Sequence, residues 1–208
     1  MSTPGLRERK KQRTRDALTD AAYALFREKG FDATTVDEIA AAVEVSPRTF
    51  FRYFASKEDL ALAPLNQQLA AMLTALAARP AGESVLTALR AATVEVLEAC
   101  EAGIGGFDGE RFRAMQALLA ENPTLRAAGP EYNAAVFDEL AELVGARMGV
   151  DPTGDPRPYL VASVTLGAVR TAGDAWRVHH PEVPASRLFA GMIDLLAAGV
   201  DYPSAAGS

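Results

Sequence analysis

The chain has little that metal, redox or nucleophilic chemistry could use. Of its 208 residues one is cysteine and two are histidine. A lone thiol, Cys100, closes no internal disulfide. Flanked by Glu98 and Glu101, it also lacks the basic surroundings that activate a thiolate, so it is expected to be a small buried hydrophobe. His179 and His180 are adjacent, so on a helix they point about a hundred degrees apart and cannot act as an i, i+4 metal pair. They read as a helix C-terminus, where the dipole favours them. No zinc spacing and no convincing Ser/His/acid order is present. Gly103-Ile104-Gly105-Gly106 has no preceding strand and no Gly-Lys-Ser/Thr, so it reads as a loop rather than a phosphate cradle. Glu95, Glu98 and Glu101 read as a solvated face. No metal, no cofactor and no enzymatic activity are expected.

Long apolar stretches are missing as well. No run of eighteen apolar residues is free of charge, and the basic N-terminal segment has no apolar core behind it. Neither a membrane span nor a signal peptide is expected, which places the chain in the cytoplasm. Period-two alternation of β-branched and aromatic residues is almost absent. What is present is alanine-rich sequence, 49% hydrophobic. Its apolar residues recur at three and four, which predicts an all-α fold of about nine helices.

The most informative stretch runs from Thr34 to Leu60. Thr35 stands three residues before Glu38, the spacing of a reciprocal capping box. Ser46 offers a capping hydroxyl and Pro47 follows at the first helical position, where its missing N–H costs nothing. Ser56 with Asp59 is a third helix start. Val36–Ala42 and Pro47–Phe54 are each too short to be stable alone and must dock on something. Two short helices joined by Val43, Glu44 and Val45 have the geometry of a helix-turn-helix, whose second helix enters the major groove. Ile39, Ala40, Val43 and Val45 give the first helix and turn an apolar side; Phe50 and Phe54 do the same for the second. That leaves Pro47, Arg48, Thr49, Phe51, Arg52 and Tyr53 outward, a mixture of cations, hydroxyl and aromatic faces suited to base edges and phosphates. Arg48 and Thr49 are the expected base readers, Tyr53 and Lys57 the expected phosphate contacts. Thr35 and Ser46, at the two helix starts, join the DNA-facing set.

These residues carry a family resemblance. Residues 14–60, about a quarter of the chain, resemble the DNA-binding domain of the tetracycline-repressor (TetR) family. Thr35, Ile39, Ala40, Val45, Ser46, Thr49, Phe50, Tyr53, Phe54, Lys57 and Leu60 match its pattern in order and spacing. The resemblance implies a DNA-binding head, a linking helix, and a helical body that takes a ligand and dimerises through its last two helices. Two positions depart from the pattern. The family's Ala-Gly pair in the turn is Val43-Glu44, so the turn is expected to close without glycine and with Glu44 at negative φ. The family's common tyrosine is Phe51, which leaves Tyr53 to supply a hydroxyl.

The net charge of −6 suits a DNA binder only when it is divided along the chain. Residues 1–60 carry 11 Lys/Arg against 10 Asp/Glu, and residues 61–208 carry 10 against 17, giving +1 and −7. Arg7, Arg9, Lys10, Lys11, Arg13 and Arg15 face only Glu8. This run is expected to act as an arm along phosphates or in the minor groove, with Arg13 and Arg15 among the DNA contacts.

The expected domains are residues 1–56, arm and helix-turn-helix; 57–202, a ligand-binding and dimerisation body; and 203–208, a tail. A helix from Lys57 to Arg79 should kink at Pro64. The last helix, from about Pro184, carries an apolar band wider than one stripe, and Leu188, Met192 and Leu195 are assigned to a homodimer seam. Met72, Phe107, Phe112, Met115, Tyr132, Phe137 and Trp176 are candidates for lining a largely hydrophobic effector pocket, aromatic or acyl in type. Arg170 is the candidate polar anchor, or else the partner of Asp174 four residues on. The function expected is a one-component regulator, a repressor released from a pseudo-palindromic double-stranded DNA operator by its effector. The alternative, a helical dimerisation or adaptor module without DNA binding, is opposed by Arg48, Thr49, Arg52, Tyr53 and Lys57.

Overall fold

The computed structural model describes residues 5–126 and 134–199. Among them every regular element is helical: α1 (Leu6–Lys29), α2 (Val36–Ala42), α3 (Pro47–Phe50), α4 (Lys57–Ala61), α5 (Ala63–Ala78), α6 (Val85–Ala102), α7 (Gly109–Glu121), α8 (Ala134–Met148), α9 (Arg157–Val178) and α10 (Ala185–Ala198). The expected all-α class holds. Tyr132 and the tail 203–208 lie outside the described residues. No described helix is long and apolar enough to cross a membrane. The chain divides into two compact units, residues 1–67 with 108–132, and residues 68–107 with 133–208.

In the first unit α1 is the platform. Its Leu18, Ala22, Tyr23 and Phe26 are buried together with Ile39 and Ala40 of α2, Phe50 of α3, Phe54, and Leu60 and Ala61 of α4. Gly30, at φ 88°, ends α1 and its N–H donates to the Phe26 carbonyl at 2.9 Å. The Tyr23 hydroxyl donates to the Ala61 carbonyl at 2.6 Å, and burial holds that phenol well above its ordinary pKa. α7 belongs to this unit although it follows α6 in sequence. Its Arg111 donates from Nε to Asp20 at 2.9 Å and from Nη1 to Asp16 at 3.1 Å, both on α1.

The helix expected to run from Lys57 to Arg79 with a kink is two helices, broken at Leu62. Pro64 falls in the first turn of α5, where a backbone N–H has no intrahelical partner, so the proline costs no hydrogen bond there. Pro47–Phe54 is shortened similarly. α3 ends at Phe50, after which Arg52 and Tyr53 donate to carbonyls three residues back, at 3.2 and 2.8 Å. This tighter last turn is how the chain brings both Phe50 and Phe54 inside.

The second unit is built on α6, α8, α9 and α10. Its central cluster is Leu97, Ala168, Ala172, Phe189 and Ile193, flanked by half-buried residues that include Leu188, Met192 and Leu196. Arg147 of α8 closes the end of α5: Nη2 donates to the carbonyls of Leu76 (3.0 Å) and Arg79 (2.7 Å), and Nη1 to that of Pro80 (3.0 Å). Glu101 is not part of a solvated face. Its carboxylate accepts the Ser186 N–H at 3.0 Å and the Ser186 hydroxyl at 2.9 Å, which caps α10, a helix whose own N-cap, Pro184, has no capping side chain. Cys100 is buried as expected, and desolvation pushes its thiol up to about 12.

Candidate nucleic-acid interface

The helix-turn-helix is assembled from local hydrogen bonds. Thr35 Oγ1 accepts the Glu38 N–H at 3.3 Å and Glu38 Oε2 accepts the Thr35 N–H at 2.9 Å, completing the capping box. Lys29 also reaches Glu38, and its ammonium with the Thr35 donors draws that carboxyl down to about 2. The turn closes as a Schellman motif: the Val45 N–H donates to Ala40 and the Glu44 N–H to Ala41, both at 3.0 Å. That closure needs a left-handed residue just past the helix end. Glu44 therefore sits at φ 55°, the only non-glycine with positive φ among the described residues. This corrects the expectation of negative φ. Glycine is absent, but the conformation glycine favours is retained.

Ser46 caps α3 by accepting the Thr49 N–H at 3.2 Å, and the two hydroxyl oxygens lie 3.1 Å apart. Pro47, Arg48, Phe51 and Arg52 are exposed, Phe51 at 56%, while Thr49 and Tyr53 are half-buried. An exposed phenylalanine beside two exposed arginines offers an apolar surface for a base methyl and cations for base edges or phosphate.

The basic run is not a loose arm. α1 begins at Leu6, so Arg7, Arg9, Lys10, Lys11, Arg13 and Arg15 are all on one continuous helix. Arg15 stacks over the Phe54 ring at 5.0 Å and Arg52 over the Tyr53 ring at 5.0 Å. Arg52 Nη2 also donates to the Tyr53 hydroxyl at 3.3 Å. That bond, with Thr14 and the Lys11 charge nearby, lowers the Tyr53 pKa. Lys11 and Arg15 are thereby brought beside the recognition turn. Lys11 belongs to the run expected along phosphates but is not singled out there as Arg13 and Arg15 are, although its i, i+4 spacing with Arg15 is readable.

Lys57 departs from its expected surroundings. Its Nζ donates to the carbonyls of Phe31 at 2.7 Å and Thr34 at 2.9 Å and lies 4.2 Å from the Phe31 ring centroid. Two of its three donors are thus engaged inside the protein.

Residues 18–63 match the family model for bacterial regulatory proteins of the tetR family, and residues 83–201 match that for the MftR C-terminal domain. The chain is 43% identical to the HTH-type transcriptional regulator TcmR of Streptomyces glaucescens over 174 residues, which is 83% of this chain and 77% of that protein. The chain belongs to the TetR family. As a member it is a helix-turn-helix transcriptional regulator. Its fold is also that of NalD, the secondary repressor of the MexAB-OprM multidrug efflux pump in Pseudomonas aeruginosa (TM-score 0.58, 21% identity, 93% of this chain and 100% of that one). It is similarly that of FadR from Bacillus subtilis in complex with stearoyl-CoA (TM-score 0.56, 17% identity, 88% and 98%).

The residues expected to line a TetR-type pocket are distributed between the two units. Phe112 and Met115 are buried on α7 in the first, whereas Met72, Phe107, Phe137, Arg170 and Trp176 are in the second. Phe137 pairs with Tyr159 at 5.6 Å. The Trp176 indole N–H donates to the Pro181 carbonyl at 3.2 Å, in the loop that follows α9. Arg170 is exposed, and Asp174 pairs instead with Arg177 at 2.5 Å, three residues on. The Arg170–Asp174 pair is therefore replaced, because Arg177 holds a side chain that is only 7% exposed over Gly173. Of the dimer candidates, Leu195 is 51% exposed, while Leu188 and Met192 are half-buried against the second unit's own cluster. Leu160 and Val178 of α9 are exposed at 64% and 58%.

Proposed function

We propose that the protein is a homodimeric repressor that binds a pseudo-palindromic operator and leaves it when a largely hydrophobic effector enters its body. One observation carries this reading: an outward surface on α3 and the turn after it, of Pro47, Arg48, Phe51 and Arg52 with half-buried Thr49, set beside Tyr53, Lys11 and Arg15. Arg48 and Thr49 read bases at the start of α3; Tyr53, Arg52, Arg13 and Arg15 meet phosphates, and Thr35 and Ser46 orient the helix starts that approach the backbone. Residues 1–56 form the head, and the sensor and dimer body follows. Exposed Leu195, Leu160 and Val178 on the last two helices support a second copy as the partner there. The stearoyl-CoA complex of the FadR neighbour supports an acyl-type molecule as one effector to assay, and Met72, Phe137 and Trp176 on the body helices, with Phe107 in the loop after α6, supply apolar and aromatic side chains. Effector binding shifts the helix pair that meets at Leu62, which alters the separation of the two recognition helices on a duplex of fixed half-site spacing.

The experiment is selection from a random duplex pool at low salt, followed by titration of the enriched site at rising salt. Enrichment of an inverted repeat with steeply salt-dependent affinity is expected. Retention of no duplex above background would overturn the regulator assignment.

A further inference from the structure

Two polar side chains sit deep in the second unit, each with a buried oxygen left unbonded by the described residues. Gln68 of α5 is 4% exposed and Thr93 of α6 is 2% exposed, and neither Gln68 Oε1 nor Thr93 Oγ1 has a hydrogen-bond partner among the described residues. Both are set in apolar stripes. Met72 and Leu76 follow Gln68 at four and eight residues, and Leu89 and Leu97 flank Thr93 at four on either side; all four are buried. A buried acceptor left unpaired is costly, and an ordered water would need several polar partners that these stripes do not supply.

Thr93 differs from four other helical threonines in a way that makes its hydroxyl informative. Thr14, Thr19, Thr74 and Thr165 each donate to the carbonyl four residues back, at 2.8–3.1 Å. Thr165 does so at 1% exposure, so burial alone does not prevent that bond. Thr93 has the Leu89 carbonyl at the same spacing and leaves it unbonded, so its hydroxyl is available to a partner outside its own helix.

We propose that Gln68 and Thr93 are the hydrogen-bonding groups of the effector site, and that the effector is a hydrophobic molecule carrying at least one hydroxyl group. The inference rests on the ligand-released reading and narrows it. A hydroxyl both donates and accepts, so it satisfies the amide in either orientation of its oxygen and nitrogen, and it satisfies the threonine as donor or acceptor. A bare alkyl chain would leave both groups unpaired. Discrimination against such a ligand is the expected consequence, because a site built for a polar group rejects the analogue lacking it.

The test uses a matched pair of probes, 2-naphthol and 2-methylnaphthalene, and the isosteric variants Gln68→Met and Thr93→Val, singly and combined. Operator binding is measured first: a wild-type chain that retains no duplex fails as a regulator, a separate failure from that of the effector site. With operator binding intact in all variants, calorimetry of wild type should give about tenfold tighter binding of 2-naphthol, the usual scale for one buried hydrogen bond. That ratio should fall towards one in the double variant. Ligand-free variants should melt at the wild-type temperature or above it, since an unsatisfied group has been removed. Equal affinity for the two probes, no binding of either, or a ratio preserved in the double variant overturns the proposal. So does a lower melting temperature in the ligand-free variants, which would reveal a buried water already satisfying the two groups.

Discussion

Replacing Lys57 by Ala separates two roles that sequence spacing alone cannot distinguish. The ammonium bonds the carbonyls of Phe31 and Thr34 at 2.7 and 2.9 Å and caps the face of the Phe31 ring at 4.2 Å. Phe31 and Thr34 are themselves buried, at 7% and 1% exposure. Hydrogen bonds from a charged donor contribute about 1.5–3 kcal/mol each, and an exposed cation–π contact about 0.5–1. Lys57 is only half-buried, so the lower end of each range applies, and the loss should be about 3–4 kcal/mol. Against the usual 5–15 kcal/mol of domain stability this is large. Urea unfolding followed by circular dichroism should show a lower midpoint at an unchanged slope. Lys57→Met, which keeps the aliphatic stem over Phe31, should recover only a minor part. The salt dependence of operator binding supplies the second axis, since each lost phosphate contact lowers the slope of log K against log salt by about 0.9. An unchanged slope is expected. A stability loss below about 0.5 kcal/mol together with a slope reduced by about one unit would refute the brace and restore Lys57 as a phosphate contact.

Other expected outcomes address the turn, the reading surface, the dimer seam and acid stability. Glu44→Gly should raise stability by about 0.5–1 kcal/mol, as relief of the left-handed strain outweighs the added freedom of the unfolded chain; a lower urea midpoint would contradict the strain. Arg48→Ala should reduce the preference for operator over random DNA by about 1–3 kcal/mol while leaving random-DNA affinity nearly constant, and parallel losses in a competition assay would assign Arg48 to phosphate. Leu195→Asp should give monomer in sedimentation without unfolding, since Leu195, unlike half-buried Met192, is not packed into its own subunit's cluster; dimer of normal mass would move the seam elsewhere. Glu38 has its carboxyl lowered from 4.5 to about 2 in the folded chain, so its contribution is complete above about pH 4.5 and is lost as pH falls through about 2. Glu38→Gln should therefore flatten the acid limb of the stability profile in that window, and an identical profile would remove Glu38 from the account.

What was legible in the sequence was local. Capping residues act over three or four positions, so Thr35 with Glu38, Ser46 with Thr49 and Ser56 with Asp59 announce the starts of α2, α3 and α4 without reference to the rest of the chain. The three- and four-residue apolar spacing likewise established the helical class and the platform role of α1. The outward position of Arg48, Phe51 and Arg52 followed from the inward position of Phe50 and Phe54, because a helix turn leaves the remaining directions to solvent.

What only the tertiary structure decided involves partners far apart in sequence. Lys57 bonds carbonyls 26 and 23 residues away, Glu101 caps a helix 85 residues on, and Arg111 pairs with Asp16 and Asp20, 95 and 91 residues back. A charge has no periodicity that names its partner, so such a side chain reads as solvated until the fold brings a carbonyl or carboxylate to it. Glu44 is the complementary case. Its residue type argued against positive φ, but the two hydrogen bonds that close the turn onto Ala40 and Ala41 require that conformation, and the turn geometry prevailed over the preference of the side chain.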